Sequence, residues 1–168
     1  MDEVVGSPAD ALVTARSNVA LCVVTADCAP IAIVGGPVGA AIHAGWQGLR
    51  AGIIEAAVER MRGLAPAGTA LKAYLGPCIH PTNYAFSPID LETVVDRYGP
   101  TVRSTTAKGE PALDMVAAVA SACAGLGLEL DVSLCRDTAD PPYFSHRIRR
   151  DTGRQAMFVW RDEPVFQS

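Results

Sequence analysis

The feature that most constrains the fold of this chain is a pair of short apolar runs joined by a tight break. Residues 31–34 and 38–42 are apolar, and a Gly-Gly-Pro tripeptide separates them. A third run, residues 19–25, precedes them and is rich in Val. Because short apolar runs bounded by Gly and Pro are typical of β-strands, we predict three strands here, with a hairpin that turns at the two glycines.

A thiol and an imidazole stand at the ends of these predicted strands. Thr-Ala-Asp-Cys ends at Cys28, and His-Ala-Gly-Trp begins at His43. A hairpin register that is symmetric about the turn places residues 29–31 opposite residues 42–44, which makes Cys28 and His43 neighbours. Such a pair can supply two ligands of a zinc ion, or the nucleophile and base of a cysteine hydrolase. Since free Cys is often buried and a single His is often only hydrogen-bonded, a purely structural role is the alternative.

The residues beside Cys28 and His43 favour a functional role for this pair over a purely structural one. Asp27, directly before Cys28, supplies a carboxylate that could orient a ligand or carry a proton. Gly45, shortly after His43, leaves room for another group to approach the backbone. We therefore take Asp27, Cys28 and His43 as candidate catalytic residues.

The segment that follows has the spacing of a helix. Apolar residues recur at intervals of three and four positions between residues 47 and 62, with Arg and Glu between them, and Gly63 and Pro66 come next. This pattern predicts one helix over residues 47–62. His43 would then precede a helix N-terminus, whose free N–H groups favour an anion.

The rest of the chain alternates strands with helices. We predict strands over residues 70–75, 130–135 and 155–160, and helices over residues 88–97 and 113–126. The alternation indicates an α/β class, with α+β as the alternative: a layered domain with a mixed β-sheet and flanking helices. At 168 residues, nearly half of them apolar, the chain is expected to form one domain over residues 1–168.

Charge and cysteine content restrict the class of protein. The net charge is −4 and the pI about 5.3, and no apolar run approaches the length of a membrane span, so we expect neither a nucleic-acid nor a membrane partner. Residues 1–5 lack the basic and apolar regions of a secretory signal. Five cysteines without a CxxC pair suit a reducing compartment, so we predict a cytoplasmic location.

Two further segments carry reactive groups. Residues 76–81, Gly-Pro-Cys-Ile-His-Pro, form a loop that two prolines stiffen. The loop follows a predicted strand, and α/β proteins often carry catalytic or binding residues in such loops. Arginines crowd residues 147–154 near the end of the chain. They either face a phosphate or carboxylate group or lie in a solvated loop, and the pattern alone does not choose between the two.

Four motifs in order carry a resemblance to a known family. They are Thr-Ala-Asp-Cys with His-Ala-Gly-Trp, Gly-Pro-Cys-Ile with Tyr84 beyond it, Cys135, and Phe-Ser-His-Arg at residues 144–147 with Thr-Gly-Arg at residues 152–154. On these residues the chain resembles the laccase-domain proteins, also called the polyphenol oxidase or multicopper-oxidase-like family and described as purine nucleoside phosphorylases. The matches extend over nearly the whole chain.

The resemblance implies a metal-dependent purine nucleoside phosphorylase of the cytoplasm. The implied substrates are phosphate and a purine nucleoside, namely adenosine, inosine or methylthioadenosine, with adenosine deamination and weak polyphenol oxidation as side activities. The implied cofactor is a single metal ion, zinc with copper as the alternative, held by one Cys and two His. By position, Cys28 and His43 are two of these ligands. We expect a monomer or a small homo-oligomer.

The third histidine ligand of the family belongs to a Gln-Val-His-Gly motif that this sequence does not contain. In the family that motif lies upstream of the segment that matches residues 9–14, and this sequence begins about where that region ends. We therefore expect a short or truncated form with a weakened metal site. His80, His146 or water would complete the ligand set.

The resemblance also suggests which residues bind substrate. Arg147 and Arg154 would contact phosphate, and Ser145 would donate a hydrogen bond to it. Tyr84 would stack on the base, with packing in the core as the alternative. Gln47 stands where the family usually has Arg, which removes a positive charge from the predicted phosphate site.

Other functions compete with this one. A true multicopper laccase does not fit, because a blue-copper centre alone takes two His and one Cys, a further copper cluster needs more, and the sequence has three His. A metal-free cysteine amidohydrolase would use Cys28 as nucleophile and His43 as base, and would need an oxyanion hole from the N–H groups after Gly45. A third reading is a domain without activity that binds a ligand or partner.

Overall fold

The computed structural model describes residues 9–163; residues 1–5, for which we expected no secretory signal, lie outside that range. In chain order, the strands are β1 (Ala11–Thr14), β2 (Leu21–Thr25), β3 (Ala29–Gly35), β4 (Val38–Ala44), β5 (Lys72–Leu75), β6 (Arg103–Thr105), β7 (Pro111–Leu113), β8 (Glu129–Asp131) and β9 (Gln155–Val159). The α-helices are α1 (Trp46–Ala51), α2 (Ile53–Leu64), α3 (Pro88–Tyr98), α4 (Met115–Gly125) and α5 (His146–Arg149). Short 3₁₀ turns occupy Pro81–Asn83 and Pro100–Val102.

A five-stranded mixed sheet forms the centre of the fold. Its strands lie in the order β1-β4-β3-β5-β8, and the neighbours are antiparallel except for β5 and β8, which are parallel. Strands β2 and β9 form an antiparallel two-stranded ribbon, and β6 and β7 form a separate hairpin. The prediction of a layered α/β structure with a mixed sheet and flanking helices is confirmed.

The two faces of this sheet bury different neighbours, as the alternation of side chains along a strand requires. Ile31 and Ile33 of β3 and Ile42 of β4 belong to the large core that includes the inward faces of helices α2, α3 and α4. Ala32 and Ala41 face the other way, into a smaller core with residues of the β2–β9 ribbon. Helices therefore cover one face of the sheet, and the ribbon packs closely on the alanines of the other.

The hairpin between β3 and β4 has the predicted register. Ala29 pairs with Ala44, Pro30 with His43, and Ile31 with Ile42. Gly36 in the turn has a φ of +49°, a left-handed conformation that glycine adopts without steric cost. The predicted pairing is confirmed, and it brings the start of β3 next to the end of β4.

The prediction of one helix over residues 47–62 is wrong, because Gly52 divides the segment. Gly52 has a φ of +84° and lies between α1 and α2. Its N–H donates to the carbonyl of Leu49 at 3.0 Å, and the Tyr98 hydroxyl donates to the same carbonyl at 2.7 Å. Since α1 spans only six residues, the helix that follows His43 offers an anion less than the longer predicted helix would.

The predicted strand over residues 130–135 is also too long. Strand β8 ends at Asp131, whose Oδ1 accepts a hydrogen bond from the N–H of Ser133 at 2.9 Å. The N–H of Cys135 then donates to the carbonyl of Val132 at 2.9 Å. An Asp side chain that bonds to the backbone two residues on favours a turn, so Cys135 lies in a loop beyond the sheet.

The other predicted helices agree with the structure within two residues at each end. Ser87 caps α3, where its Oγ accepts from the N–H of Asp90 at 3.4 Å, and Pro88 follows as the first helical residue. Asp114 caps α4 by accepting from the N–H of Ala117 at 2.9 Å. No helix within residues 9–163 is long and apolar enough to cross a membrane.

Candidate functional site

Cys28 and His43 lie side by side where β3 begins and β4 ends. A Cβ placed on Gly45 would lie 3.4 Å from Cys28 Sγ, so the thiol rests against the glycine that follows the histidine strand. The pKa of His43 is raised to about 9, and interaction with Cys28 is the largest cause. Burial of the ring lowers this pKa, and interaction with Asp10 raises it. The raised pKa favours the protonated imidazole, which lies next to a sulfur that could act as a ligand or a nucleophile.

Asp10 holds the ring of His43 from the other side. Its Oδ1 lies 2.8 Å from His43 Nδ1, and its carbonyl accepts the backbone N–H of His43 at 2.7 Å. This arrangement leaves His43 Nε2 free of Asp10. Our sequence analysis did not identify Asp10, because β1, which follows it, was not predicted; an acidic residue directly before the apolar stretch at residues 11–13 was the available signal.

Asp27 binds three segments of the chain together. Its backbone has a φ of +90°, and its buried carboxylate accepts hydrogen bonds from Ser145 Oγ at 2.6 Å, from the N–H of Arg147 at 2.6 Å and from Thr138 Oγ1 at 2.9 Å. Its carbonyl accepts from the N–H of Ile79 at 2.9 Å. The residue before Cys28 is thus fixed by contacts to loops far along the sequence, and its catalytic role stays a prediction.

Tyr84 and Arg147 form one wall of the site. The guanidinium carbon of Arg147 lies 5.0 Å from the centre of the Tyr84 ring, which is the geometry of a cation–π contact. The ring of Phe86 meets the same tyrosine edge-on at 5.3 Å. Burial raises the pKa of Tyr84 to about 12, the charge of Cys28 adds to the rise, and Arg147 opposes it. The buried Tyr84 ring packs as a core residue, and its stacking on a base stays a prediction.

The remaining predicted binding residues are dispersed. Ser145 Oγ donates its hydrogen to Asp27 and accepts the N–H of Ile148 at 3.1 Å, so its single O–H already has an acceptor. Gln47 is exposed on α1. Arg154 is exposed, and its guanidinium donates to the carbonyls of Asp151 and Gly153 at 3.0 and 2.7 Å. Roles for Gln47, Ser145 and Arg154 in binding phosphate stay predictions.

Arg149 shows that part of the arginine cluster is structural. Its guanidinium lies 2.9 Å from Asp151 Oδ2 and donates to the carbonyls of Ala139, Thr138 and Tyr143. These bonds fold the loop over residues 138–151 onto itself.

The two histidines considered as a third ligand lie in other surroundings. His80 Nε2 is 3.6 Å from Cys135 Sγ, and Cys78, His80 and Cys135 are the only group of three metal-ligating side chains within residues 9–163 whose ligand atoms lie within 4.8 Å of one another. His146 is exposed on α5, with Nε2 3.5 Å from Arg150 Nη1. Sequence reasoning missed the Cys78–His80–Cys135 group, although the Cys-x-His spacing at residues 78–80 was a visible signal.

Comparison with known proteins gives the family. Residues 2–162 match the model of a family described as multi-copper polyphenol oxidoreductase laccase. The chain belongs to this family. The predicted family resemblance, made on the motifs around Cys28, His43, Cys78 and Arg147, is thereby confirmed.

Two named bacterial proteins are similar to this chain over most of its length. A purine nucleoside phosphorylase of Mycobacterium tuberculosis is 40% identical over 156 residues, which cover 91% of this chain and 62% of that protein. A purine nucleoside phosphorylase of Streptomyces griseus is 40% identical over 157 residues, which cover 91% of this chain and 63% of that protein. The chain therefore spans somewhat less than two thirds of the length of these relatives.

Two solved structures share the fold. A protein of Neisseria meningitidis superimposes with a TM-score of 0.81 at 28% identity, over 92% of this chain and 65% of that one. YlmD of Geobacillus stearothermophilus superimposes with a TM-score of 0.74 at 28% identity, over 92% of this chain and 61% of that one.

Proposed function

We propose that this chain carries the metal-dependent site of a purine nucleoside phosphorylase, centred on Cys28 and His43. The observation that carries the proposal is the contact of Cys28 with His43, whose Nδ1 lies 2.8 Å from Asp10 Oδ1. A carboxylate behind a ligating histidine is the usual support of such a ligand, because it fixes the ring and raises its basicity. Relatives that are 40% identical carry the name of this activity.

The donor atoms fit a zinc ion, with copper as the alternative. A Cys sulfur and an imidazole nitrogen are ligands that zinc prefers, and Asp10 leaves His43 Nε2 as the nitrogen available for a metal. When bound, the metal would polarise phosphate or activate water. A histidine ligates as the neutral ring, and in that form Asp10 would accept the Nδ1–H of His43 and keep the ring in place.

Arg147, which lies over the Tyr84 ring, would hold the phosphate anion. The exposed Arg147 has its guanidinium over the Tyr84 ring, and its backbone N–H donates to the Asp27 carboxylate at 2.6 Å. In this proposal Arg147 binds phosphate while an oxygen of phosphate forms a bond to the sugar C1′. The bond from C1′ to the purine nitrogen breaks, and the base leaves with its electron pair and takes up a proton. Asp27 is a positioning residue: it precedes Cys28 in the chain and accepts the backbone N–H of Arg147, so it fixes where these two residues lie relative to each other.

We further propose adenosine, inosine or methylthioadenosine as the nucleoside, with deamination of adenosine and weak polyphenol oxidation as side activities. The acidic net charge of −4 does not favour a nucleic acid as substrate, since such proteins usually have a basic surface. A cytoplasmic location and a monomer or small homo-oligomer complete the proposal.

The proposal is tested by the products formed from adenosine. The purified chain is incubated with adenosine and zinc, with and without phosphate, and the products are separated by chromatography. We expect adenine and ribose 1-phosphate in amounts that depend on phosphate, and a loss of at least about 100-fold in His43→Ala, because a ligand and its orientation are removed together. Cys22→Ser, on the exposed part of β2, is the control. Product formation that does not depend on phosphate or on His43 would contradict the proposal.

The position of the Cys28 thiol against the backbone of Gly45, beside His43, favours a second candidate, a cysteine amidohydrolase. A thiol beside an imidazole is the arrangement of nucleophile and base in cysteine hydrolases. In that case the protein would hydrolyse an amide substrate without metal, and iodoacetamide would abolish the activity by alkylating Cys28. Zinc would inhibit such an enzyme by occupying its nucleophile, whereas it would activate the phosphorylase. The sign of the zinc effect therefore separates the two functions.

A further inference from the structure

A second group of sulfur and nitrogen ligands lies apart from Cys28 and His43. Cys78 follows β5, His80 is two residues on, and Cys135 comes from the loop after β8. The two sulfurs are 3.9 Å apart, Cys135 Sγ is 3.6 Å from His80 Nε2, and all three ligand atoms lie within 4.8 Å of one another. The phosphorylase proposed above uses none of these side chains.

Two of these distances, between the two sulfurs and between Cys135 Sγ and His80 Nε2, match edges of a zinc coordination tetrahedron. With Zn–S bonds of about 2.3 Å and a Zn–N bond of about 2.0–2.1 Å, tetrahedral angles place two sulfurs about 3.8 Å apart and a sulfur and nitrogen about 3.5 Å apart. The two closest ligand pairs therefore already have the separations that a zinc ion requires. Hydrogen bonds from the thiols span similar distances, so a zinc measurement separates the two arrangements.

Backbone hydrogen bonds hold the two loops in this arrangement. The N–H of Cys78 donates to the carbonyl of Arg136 at 3.1 Å, and the N–H of Thr138 donates to the carbonyl of Cys78 at 3.1 Å. Asp137 Oδ1 accepts the backbone N–H of His80 at 3.2 Å. The ligands are thus set by rigid parts of the backbone, so a metal ion would not have to gather them from a flexible chain.

The carboxylate of Asp137 is near but is occupied by other partners. Besides His80, its Oδ1 accepts the N–H of Ala139 at 3.0 Å, and its Oδ2 accepts from Asn83 Nδ2 at 2.9 Å. It therefore supports the ligand loop and does not complete the tetrahedron. Cys78 is buried, whereas His80 and Cys135 are half-buried, so solvent reaches part of this group, and a water molecule would be the fourth ligand.

From this geometry we propose that Cys78, His80 and Cys135 bind a zinc ion of their own, distinct from the metal at Cys28 and His43. The ion would brace the loop after β5 against the loop over residues 135–138. Both loops contact Asp27, through the N–H of Ile79 and through Thr138 Oγ1. The second zinc would therefore stiffen the support of Cys28 without touching substrate.

Zinc stoichiometry tests this site independently of any activity. The double variant Cys28→Ser/His43→Ala removes the first site; it is loaded with Zn²⁺, freed of excess by gel filtration and analysed by mass spectrometry of the native protein. We expect about one zinc per chain to remain, and to be lost when His80→Ala or Cys135→Ser is added. Cys123→Ser, a buried cysteine on α4, is the matched control and should keep the zinc. Circular dichroism confirms that each variant is folded.

Two results would overturn the proposal. One is a folded double variant without zinc and with free thiols at Cys78 and Cys135. The other is a protein without zinc whose mass is lower by a pair of hydrogens, which would show a disulfide between Cys78 and Cys135. Because the first site is absent from the double variant, neither result depends on whether the chain is a phosphorylase. Failure of the phosphorylase proposal would likewise leave the zinc count of the second site unchanged.

Discussion

Asp10 and His43 are joined twice, once through their backbones at 2.7 Å and once through Asp10 Oδ1 and His43 Nδ1 at 2.8 Å. The backbone bond places the start of β1 against the end of β4, and the side-chain bond then sets the orientation of the imidazole. A single acidic residue therefore fixes both the position and the tautomer of the proposed metal ligand.

Replacing Asp10 by Asn should weaken zinc binding at this site. The amide still fills the space but carries no charge, so His43 becomes a less basic ligand and its ring is held less firmly. We expect the affinity for zinc to fall about 10- to 100-fold, measured by competition with a chelator in a His80→Ala background. Asp96→Asn, on the exposed side of α3, is the control. Equal affinities in the two variants would contradict the role of Asp10.

Ser145→Ala should destabilise the fold. The change removes the hydroxyl that donates to the buried Asp27 carboxylate at 2.6 Å and also the cap that accepts the N–H of Ile148. Loss of a hydrogen bond to a charged group costs about 1.5–3 kcal/mol of the free energy of unfolding. Ser104→Ala, in the separate β6–β7 hairpin, should cost less than about 0.5 kcal/mol. Urea denaturation of both variants measures the difference, and similar midpoints would show that Asp27 does not depend on Ser145.

Gly52→Ala should destabilise the protein, whereas Gly63→Ala should not. At a φ of +84°, an alanine at position 52 is strained by about 1–2 kcal/mol, and its Cβ would displace the Arg97 guanidinium. Gly63 lies inside α2 with no atom within 4 Å of a Cβ, so alanine there should stabilise the helix by about 0.5–1 kcal/mol. Thermal melting of the two variants should shift in opposite directions. A higher melting temperature for Gly52→Ala would show that the break between α1 and α2 is not needed.

Two tyrosines should ionise late in an alkaline titration. Burial raises the pKa of both Tyr84 and Tyr98 to about 12. Because the folded-state pKa lies above the unfolded value of about 10, each neutral phenol stabilises the fold fully below pH ~10, and that contribution is lost as the pH rises through ~12. Absorbance of phenolate should show a late step that loses amplitude in Tyr84→Phe and in Tyr98→Phe. If the two substitutions instead removed absorbance from the part of the titration below pH ~11, these phenols would be solvated and the account would be wrong.

Local sequence patterns predicted the parts of this fold that depend on neighbouring residues. The Gly-Gly-Pro turn set the register that pairs Pro30 with His43, and the Ser-Pro pair at residues 87–88 marked the start of α3. Gly52 could also have been identified, since a glycine inside a helical pattern is a common C-cap. The prediction failed there because the apolar spacing continues through the break.

Contacts between distant residues could not be predicted from these patterns. Asp27 meets Ser145 across 118 positions, and Cys135 meets His80 across 55. Periodicity predicts which face of an element is buried, but it contains no information about which loop will lie against it. The hydrogen bonds of Asp27 and the Cys78–His80–Cys135 group became visible only when the sheet brought the loops together.

Zinc-dependent phosphorolysis in a matched pair of cysteine variants tests the central claim most directly. Wild type, Cys28→Ser and Cys22→Ser are stripped of metal, and the release of adenine from adenosine in phosphate is followed as zinc is added. The account predicts that zinc restores activity to wild type and to Cys22→Ser, and that Cys28→Ser stays at least about 100-fold slower at every zinc concentration. Equal zinc-dependent rates in Cys28→Ser and wild type would contradict it.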